Sequence, residues 1–162
     1  MATTYRLTPS ETVTVLRHEE ELLEVEGRWG PEGRPPPPHF HPAQDEHFEV
    51  LEGRLTAKLD GAERELSAGD TLDVPRETSH QLWNAGSEPA RGIWQTRPAG
   101  RTAEWFRSVD ALHDGDRVPG LLDFAPLIKE YNDVFRLSAA PQAVVKPAVA
   151  ALGALGRVRG RR

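Results

Sequence analysis

Residues 33–53 read GRPPPPHFHPAQDEHFEVLEG, and within them His39, His41 and Glu46 are three side chains that can bind a metal ion. Alternate side chains of an extended strand point to the same face, so His39 and His41 project together from positions about 6–7 Å apart. Two imidazoles at that separation can bind one ion, with each nitrogen about 2.1 Å from it. Glu46 begins the next apolar run and can supply a charged oxygen to the same ion.

A third histidine, His80, follows a turn that contains proline and lies on a separate segment. Three imidazole nitrogens and one carboxylate oxygen suit borderline divalent metals and leave coordination positions open for a substrate or water. Iron, manganese, nickel, zinc and copper all tolerate this donor set, and the order of affinities does not choose among them. The sequence therefore predicts a divalent metal site without predicting which metal fills it.

Two spaced motifs contain these side chains. The pattern G-x5-H-x-H-x4-E-x6-G is filled at every fixed position, and the pattern G-x5-P-x-G-x2-H-x3-N at all but one, where Glu77 replaces a glycine. The chain thereby resembles the cupin superfamily, in particular its small proteins of quercetin-dioxygenase-like type. The matched positions are Gly33, His39, His41, Glu46, Gly53, Gly69, Pro75, His80 and Asn84.

The resemblance implies a single jelly-roll β-barrel with the metal inside, and it covers about the first hundred residues. Glu77 removes no metal ligand, because the glycine of the motif serves a turn. Members of the family with this ligand set include dioxygenases, isomerases, decarboxylases and lyases, as well as proteins without known activity. The resemblance therefore implies a fold and a site, and offers several reactions.

The composition is that of a soluble globular protein. Charged side chains make up 28% and hydrophobic side chains 38% of the residues. A length of 162 residues suffices for one ordinary domain, or for one domain with an appendage. A formal charge of −5 argues against a nucleic-acid partner, and the absence of cysteine excludes disulfides, thiolate ligands and a cysteine nucleophile. The N-terminus does not resemble a signal peptide, and no run approaches the length of a membrane span, so we expect a cytoplasmic protein.

The pattern of side chains changes near residue 100. Before it, short segments that alternate apolar and polar residues are separated by turns, which predicts an all-β barrel or sandwich over residues 1–100. After it, apolar residues recur at three- and four-residue spacings, which predicts a helical extension over residues 101–162 that packs on the barrel or on a dimer interface. The predicted strands are 12–16, 20–26, 46–51, 55–59, 63–66, 72–74, 80–84 and 90–96, and the predicted helices are 103–113, 121–137 and 144–158.

Strand alternation also predicts a substrate pocket beside the metal. Phe48 and Val50 share the face of Glu46, and Leu82 shares the face of His80. On the last strand either Trp94 or its two neighbours face inward, depending on the register, and we assign Trp94 to the pocket. Phe40 and Trp83 should then face outward, and outward aromatic side chains together with the habit of the family favour a homodimer.

Other features have simple explanations. His18, His47 and His113 are interpreted as packed or solvated residues, and the prolines 35–38 as an exposed extended segment, with a partner-binding polyproline ligand as the alternative. The basic end of the chain, Arg157 to Arg162, is interpreted as the cap of a helix on the barrel or dimer interface. A basic amphipathic helix on an anionic membrane or partner is the second interpretation.

Three functions are compatible with these features. The leading hypothesis is a metal-dependent, dioxygenase-type enzyme acting on a small oxygenated organic molecule, with Glu46 as ligand and general base. A non-catalytic sensor or carrier of a small ligand is the second, and an oxygen-independent isomerase or cyclase is the third. No nucleophilic serine motif and no phosphate-binding glycine loop support a hydrolase or a nucleotide-binding protein.

Overall fold

The computed structural model describes residues 1–138 as eleven strands and two helices. The helices α1 and α2 lie between the tenth and eleventh strands. In order, the elements are β1 Thr4–Thr8, β2 Glu11–Glu19, β3 Leu22–Trp29, β4 His39–Phe40, β5 Asp45–Glu52, β6 Arg54–Leu59, β7 Ala62–Ser67, β8 Thr71–Val74, β9 His80–Trp83, β10 Ala90–Arg97, α1 Thr102–Leu112, α2 Leu121–Glu130 and β11 Arg136–Leu137.

The strands form two antiparallel sheets. One has the order β1-β2-β3-β10-β5-β8 and the other the order β11-β4-β9-β6-β7. Six of the nine neighbouring pairs are not consecutive along the chain, as expected of a jelly roll, in which strands cross repeatedly between two sheets. The predicted all-β jelly roll is confirmed, and the eight predicted strands match β2, β3 and β5–β10 to within a few residues at each end.

Two groups of buried side chains form the interior. Residues of β5, β6 and β8 pack with Trp29 between the two sheets. Val13, Leu23 and Val25 form the second group with Phe106, which comes from α1. Trp94 of β10 packs against both groups, so the barrel and the first helix share one continuous apolar interior.

A buried glutamine ties the helical extension to the barrel. The Gln44 side-chain amide donates hydrogen bonds of 3.0, 2.7 and 2.8 Å to the carbonyl oxygens of Pro98 and Ala99 and to the hydroxyl of Thr102, at the start of α1. Bonds to a buried amide are costly to lose, because the amide would stay desolvated. These bonds therefore fix the start of α1 to the barrel.

The second predicted helix is too long. The prediction 121–137 follows an apolar periodicity, but α2 ends at Glu130, and Arg136–Leu137 form a strand that pairs with β4. Backbone N–H groups of Val134 and Phe135 both donate to the carbonyl of Tyr131, which turns the chain back towards the barrel. Pairing with an open strand edge thus outweighs helical periodicity here. The predicted helix 144–158 and the basic tail lie outside the described residues.

The described helices are both short. In residues 1–138 neither helix has the length and apolar character needed to cross a membrane.

Two turns contain residues with a positive φ angle, and in one of them the residue is not glycine. Asp60 and Gly61 have φ angles of 44° and 84° and form the hairpin turn that joins β6 to β7. Glu77, which replaces the glycine of the second motif, also has a positive φ, 66°. Its N–H donates 2.8 Å to the carbonyl of His41. The turn therefore keeps the shape of a glycine turn at the cost of an unfavourable backbone conformation.

Replacing Glu77 with glycine should stabilise the protein. Among residues 1–138 the exposed side chain takes part in no hydrogen bond or ion pair, and relief of the left-handed conformation outweighs the greater flexibility of glycine in the unfolded chain. We expect the free energy of unfolding to rise by about 0.5–1 kcal/mol. Urea denaturation would measure it, with Glu77→Ala as the control that shortens the side chain and keeps the strain. A loss of stability in the glycine variant would contradict the prediction.

Candidate metal site

Four side chains from both sheets meet between them. His39 is on β4, His80 lies opposite it on β9, and His41 follows β4 directly. Glu46 is on β5 of the other sheet. One ring nitrogen from each histidine lies within 4.8 Å of those of the other two. The structure thus brings together all four residues that the sequence singled out.

Backbone carbonyls hold the three imidazole rings. The Nδ1 atoms of His39, His41 and His80 lie 2.9, 2.6 and 2.9 Å from the carbonyl oxygens of Pro37, Val134 and Thr78. A carbonyl oxygen only accepts, so each Nδ1 carries the proton. In the neutral rings each Nε2 then presents a lone pair, which is the form that binds a metal.

The Glu46 carboxylate completes the set. Its Oε2 lies 2.9 Å from Nε2 of His80 and 3.3 Å from Nε2 of His41, while its Oε1 accepts a 2.9 Å hydrogen bond from the indole of Trp94. Glu46 is only 3% exposed, and neither its Oε2 nor His41 Nε2 has a hydrogen-bond partner. Acceptor atoms that face one another in a buried site require a positive charge between them.

A divalent metal ion fits this requirement. Two ligand atoms about 2.1 Å from one ion and at right angles to each other are about 3.0 Å apart, close to both Nε2–Oε2 distances. The orphaned atoms are also of the right chemical type, imidazole nitrogen and carboxylate oxygen.

Electrostatic interactions prepare the site for a cation. Burial, together with the nearby His80 and His41, lowers the pKa of His39 to about 3, so this ring stays neutral. Burial alone would raise the pKa of Glu46, but His41 and His80 lower it well below its usual range. Burial opposes charge on His41 as well, yet the Glu46 carboxylate raises the pKa of His41. A proton held between His41 and Glu46 is therefore the species that a metal ion must displace.

A cavity of about 610 Å³ adjoins the site. Of the predicted pocket residues, Phe48, Leu82 and Trp94 line it, and the rings of Phe48 and Trp94 stack with their centroids 5.3 Å apart. The register places Trp94 opposite Phe48 on β5, which settles the alternative left open for β10. Val50 does not line the cavity, because it lies two residues further along β5 and packs into the core.

The cavity extends beyond the barrel residues that the sequence predicted. Trp83, expected to face outward, lines the cavity because the proline-rich loop before β4 borders the same space. His113, interpreted as packed or solvated, is buried and also lines the cavity, with its Nδ1 donating 3.0 Å to the carbonyl of Val109. The extension contributes further wall residues, among them Trp105, Phe106, Phe124, Ile128 and Phe135.

Glu11 is a second acidic residue of the cavity wall. It lies opposite Trp29 in the pairing of β2 with β3. Burial raises the pKa of Glu11 to about 7, and the nearby indole of Trp29 opposes part of the rise. The carboxyl group therefore changes charge near neutral pH, unlike ordinary glutamates.

The raised pKa of Glu11 predicts that the free energy of unfolding falls as the pH rises. Below pH 4.5 the carboxyl of Glu11 is protonated in both the folded and the unfolded chain, and between 4.5 and about 7 only the unfolded chain loses the proton. Between pH 5 and pH 8 the free energy of unfolding of the wild type should fall by about 2 kcal/mol, a figure reduced because Glu11 is partly exposed. We expect Glu11→Gln to abolish this decrease. Urea denaturation at both pH values measures it, with the exposed Glu63→Gln as control. An equal pH dependence in wild type and the Glu11 variant would rule the effect out.

Comparison with known proteins agrees with this fold. Residues 27–96 match the family model of the Cupin domain and contain all four clustered side chains. The cupin domain of this chain therefore spans residues 27–96. Among solved structures, KdgF from Halomonas sp. superimposes with a TM-score of 0.56 at 23% identity, covering 62% of this chain and 92% of that one, which supports the fold.

Two curated relatives are similar over part of their length. One is the tetracenomycin polyketide synthase protein TcmJ of Streptomyces glaucescens, 35% identical over 60 residues, which are 37% of this chain and 40% of the relative. The other is quercetin 2,3-dioxygenase of Bacillus subtilis, 43% identical over 90 residues, which are 56% of this chain and 26% of the relative. The chain thus spans two fifths of one relative and about a quarter of the other.

Proposed function

We propose that this cupin is a metal-dependent enzyme of dioxygenase type that acts on a small oxygenated organic molecule. The proposal depends on one observation: three Nε2 atoms and the Oε2 of Glu46 converge beside a 610 Å³ cavity, and every Nδ1 is already committed to a carbonyl. We propose His39, His41, Glu46 and His80 as ligands of one divalent ion. Iron, manganese, nickel, zinc and copper are all compatible with these donors.

The cavity wall supports an apolar substrate with a few oxygen atoms. Aromatic rings from the barrel and from the extension surround the space, and they suit the flat face of an aromatic or enolic compound. The relatives agree in kind, since one is named for quercetin and the other for a polyketide. Oxygen atoms of such a molecule would be directed to the metal, the most polar point of the wall.

The bound metal, Trp94 and Glu46 would have different roles in the proposed reaction. The metal, when bound, supplies Lewis acidity and positions at which an oxygenated substrate or dioxygen can bind. The indole of Trp94 holds Oε1 of Glu46 and leaves Oε2 directed at the histidines. We propose that Oε2 also accepts the proton of a substrate hydroxyl. The low pKa of Glu46 makes it a weak base, so this transfer would require a hydroxyl whose acidity a bound metal ion raises. The aromatic wall excludes water from this step.

Oxygen uptake tests the proposal. Protein purified without metal would be loaded anaerobically with Fe²⁺, Mn²⁺, Ni²⁺, Zn²⁺ or Cu²⁺ and then exposed to oxygen with catechols, flavonols and enolic β-diketones. We expect at least one metal to give substrate-dependent oxygen consumption that His80→Ala abolishes. Absence of turnover with all five metals, in protein that demonstrably binds them, would contradict the enzymatic proposal.

The same samples distinguish the two alternative functions. Turnover that persists without oxygen would indicate an isomerase or cyclase, and saturable ligand binding without turnover would indicate a carrier or sensor. Deleting residues 141–162 adds a second criterion, because the shortened protein keeps residues 1–138 with the barrel, both helices and the candidate metal site. An enzyme should keep its turnover after the deletion, whereas a sensor that signals through its tail should lose its partner.

Assembly, location and the role of the extension are further proposals. We propose a homodimer, which light scattering after size exclusion would test, and a cytoplasmic location. We also propose that residues 101–162 form an appendage of the barrel domain 1–100, which as far as residue 138 packs on the barrel.

A further inference from the structure

The last described segment, residues 131–138, lies directly against the candidate metal site. We call it the strap. It leaves α2 at Tyr131, turns, and ends in β11, whose residues Arg136 and Leu137 pair with Phe40 and His39 of β4. A histidine of the site is thus a strand partner of a segment almost a hundred residues further along the chain.

The strap supplies one of the three carbonyls that fix the imidazole tautomers. The carbonyls that hold His39 and His80 come from residues two positions before each histidine, so local backbone geometry provides them. His41 has no such local partner, and its Nδ1 donates instead to the carbonyl of Val134, at 2.6 Å. Val134 is 1% exposed, so this bond is shielded from water.

The strap also covers a second histidine. The ring of Phe135 stacks on that of His39 with 4.6 Å between centroids and 21° between planes. On its other side Phe135 stacks on Trp105 of α1 at 4.9 Å and 18°. The position of the His39 ring therefore depends on a stack whose other two members belong to the extension.

Three sets of bonds hold the strap in place. At its end, Ser138 donates its N–H to the carbonyl of Pro38 at 2.9 Å, and its hydroxyl lies 2.6 Å from that of Ser79. At its start the hydroxyl of Tyr131 lies 2.9 Å from that of Ser108. Between these points Arg101 binds the strap by its charge.

Arg101 makes the most extensive of these contacts. Its guanidinium donates to both carboxylate oxygens of Asp133, to the side chain of Glu130 at 3.2 Å and to the Glu130 carbonyl at 2.8 Å. It also lies 4.7 Å from the centre of the Tyr131 ring. These contacts raise the pKa of Arg101 and lower that of Asp133, so the pair stays charged at any ordinary pH. A planar bidentate pair of this kind fixes direction as well as distance.

We propose that the strap is a positioning element of the metal site, held in place by Arg101. Through Val134 it keeps His41 in the tautomer that presents Nε2 to the metal, and through Phe135 it keeps the His39 ring aligned. Such partners of metal-binding histidines set both ring orientation and ligand basicity. This inference rests on the proposed metal site, but its consequence for the His41 tautomer holds without a metal.

Arg101→Gln tests the inference. The variant loses the bidentate pair while keeping a polar side chain at a partly exposed position, so the barrel should fold. The matched control is Arg117→Gln, because Arg117 forms a bidentate pair with Asp123 at 3.0 and 2.8 Å in the same extension without contacting the strap. We expect Zn²⁺ and Co²⁺ affinities to fall about 10–100-fold in Arg101→Gln and to stay within about twofold of wild type in Arg117→Gln.

Two spectra separate positioning from general stability. The visible spectrum of bound Co²⁺ should change in Arg101→Gln, and the NMR signal of the His41 Nδ1–H should be lost or shifted in the metal-free variant. Wild-type affinity together with an unchanged Nδ1–H signal would overturn the inference. If wild-type protein binds neither metal, the proposed function fails, and the NMR signal alone then decides whether the strap holds His41.

A second variant tests the strap without changing the charge of the protein, as Arg101→Gln does. Phe135→Leu keeps an apolar side chain and removes the stack on His39, and Phe124→Leu makes the same change elsewhere on the cavity wall. We expect the first to weaken Co²⁺ binding and alter its spectrum, and the second to leave both as in the wild type. Equal behaviour of the two leucine variants would contradict a positioning role for Phe135.

Discussion

Glu46→Gln should lower the affinity for divalent metal at least about 100-fold while changing the stability of the metal-free protein by only about 1 kcal/mol. The metal loses its only anionic ligand, because the other three donors are neutral imidazoles. Folding is less affected, since a glutamine is nearly the same size and its amide can donate to His Nε2 while its oxygen still accepts from Trp94. Isothermal titration calorimetry with Zn²⁺ and urea denaturation without metal measure the two effects.

Glu49→Gln is the matched control for this change. It lies on the same strand, three residues further on, with its side chain exposed on the opposite face. It removes the same charge from the protein without touching the site. Similar loss of affinity in both variants would show that net charge, and not ligation by Glu46, governs metal binding.

Metal binding should release about one proton near neutral pH, and the apparent affinity should rise about tenfold per pH unit until His41 is neutral. The Glu46 carboxylate raises the pKa of His41, so below that pKa the metal-free site holds a proton which the metal must displace. Above it the proton is already gone, and the affinity should level off. His39 contributes nothing to this slope, because its pKa of about 3 keeps it neutral throughout.

Calorimetry in buffers of different ionisation enthalpy counts the released protons. In Glu46→Gln the pKa of His41 should fall, because the charge that raises it is gone, and proton release at pH 7 should diminish. His47→Gln is the control, since His47 follows Glu46 in sequence but bonds to Asp73 at the surface. Binding that releases no proton at any pH between 5 and 8 would contradict the assignment of the shared proton.

The candidate site could be predicted from the sequence by one local rule and one resemblance. Strand alternation places His39 and His41 on one face, whereas Glu46 on β5 and His80 on β9 were assigned to the same site because their spacing resembles the cupin motifs. Glu77 illustrates the limit of such rules, since the motif predicts a glycine turn and the structure keeps that turn with a strained glutamate.

The extension shows where local pattern fails. The periodicity of 121–137 is helical, yet the chain leaves the helix at Glu130 because residues 136–137 gain a strand partner in β4. Val50 shows the same limit on a strand: its face was predicted correctly, but its depth in the core was not, because a cavity wall is shaped by all the elements around it. Periodicity predicts the face from which a side chain projects, but it does not predict the residues that the side chain contacts.

The sequence by itself determined the strands, because hydrophobic alternation and turn residues act over a few positions at a time, and its resemblance to the cupin motifs identified the four clustered side chains. Only the tertiary structure decided what surrounds them: the carbonyl of Val134 on His41, the ring of Phe135 on His39 and the aromatic wall from α1 and α2. These contacts join residues almost a hundred positions apart. Their formation depends on packing, shape and strand pairing across the whole chain, which no local spacing encodes.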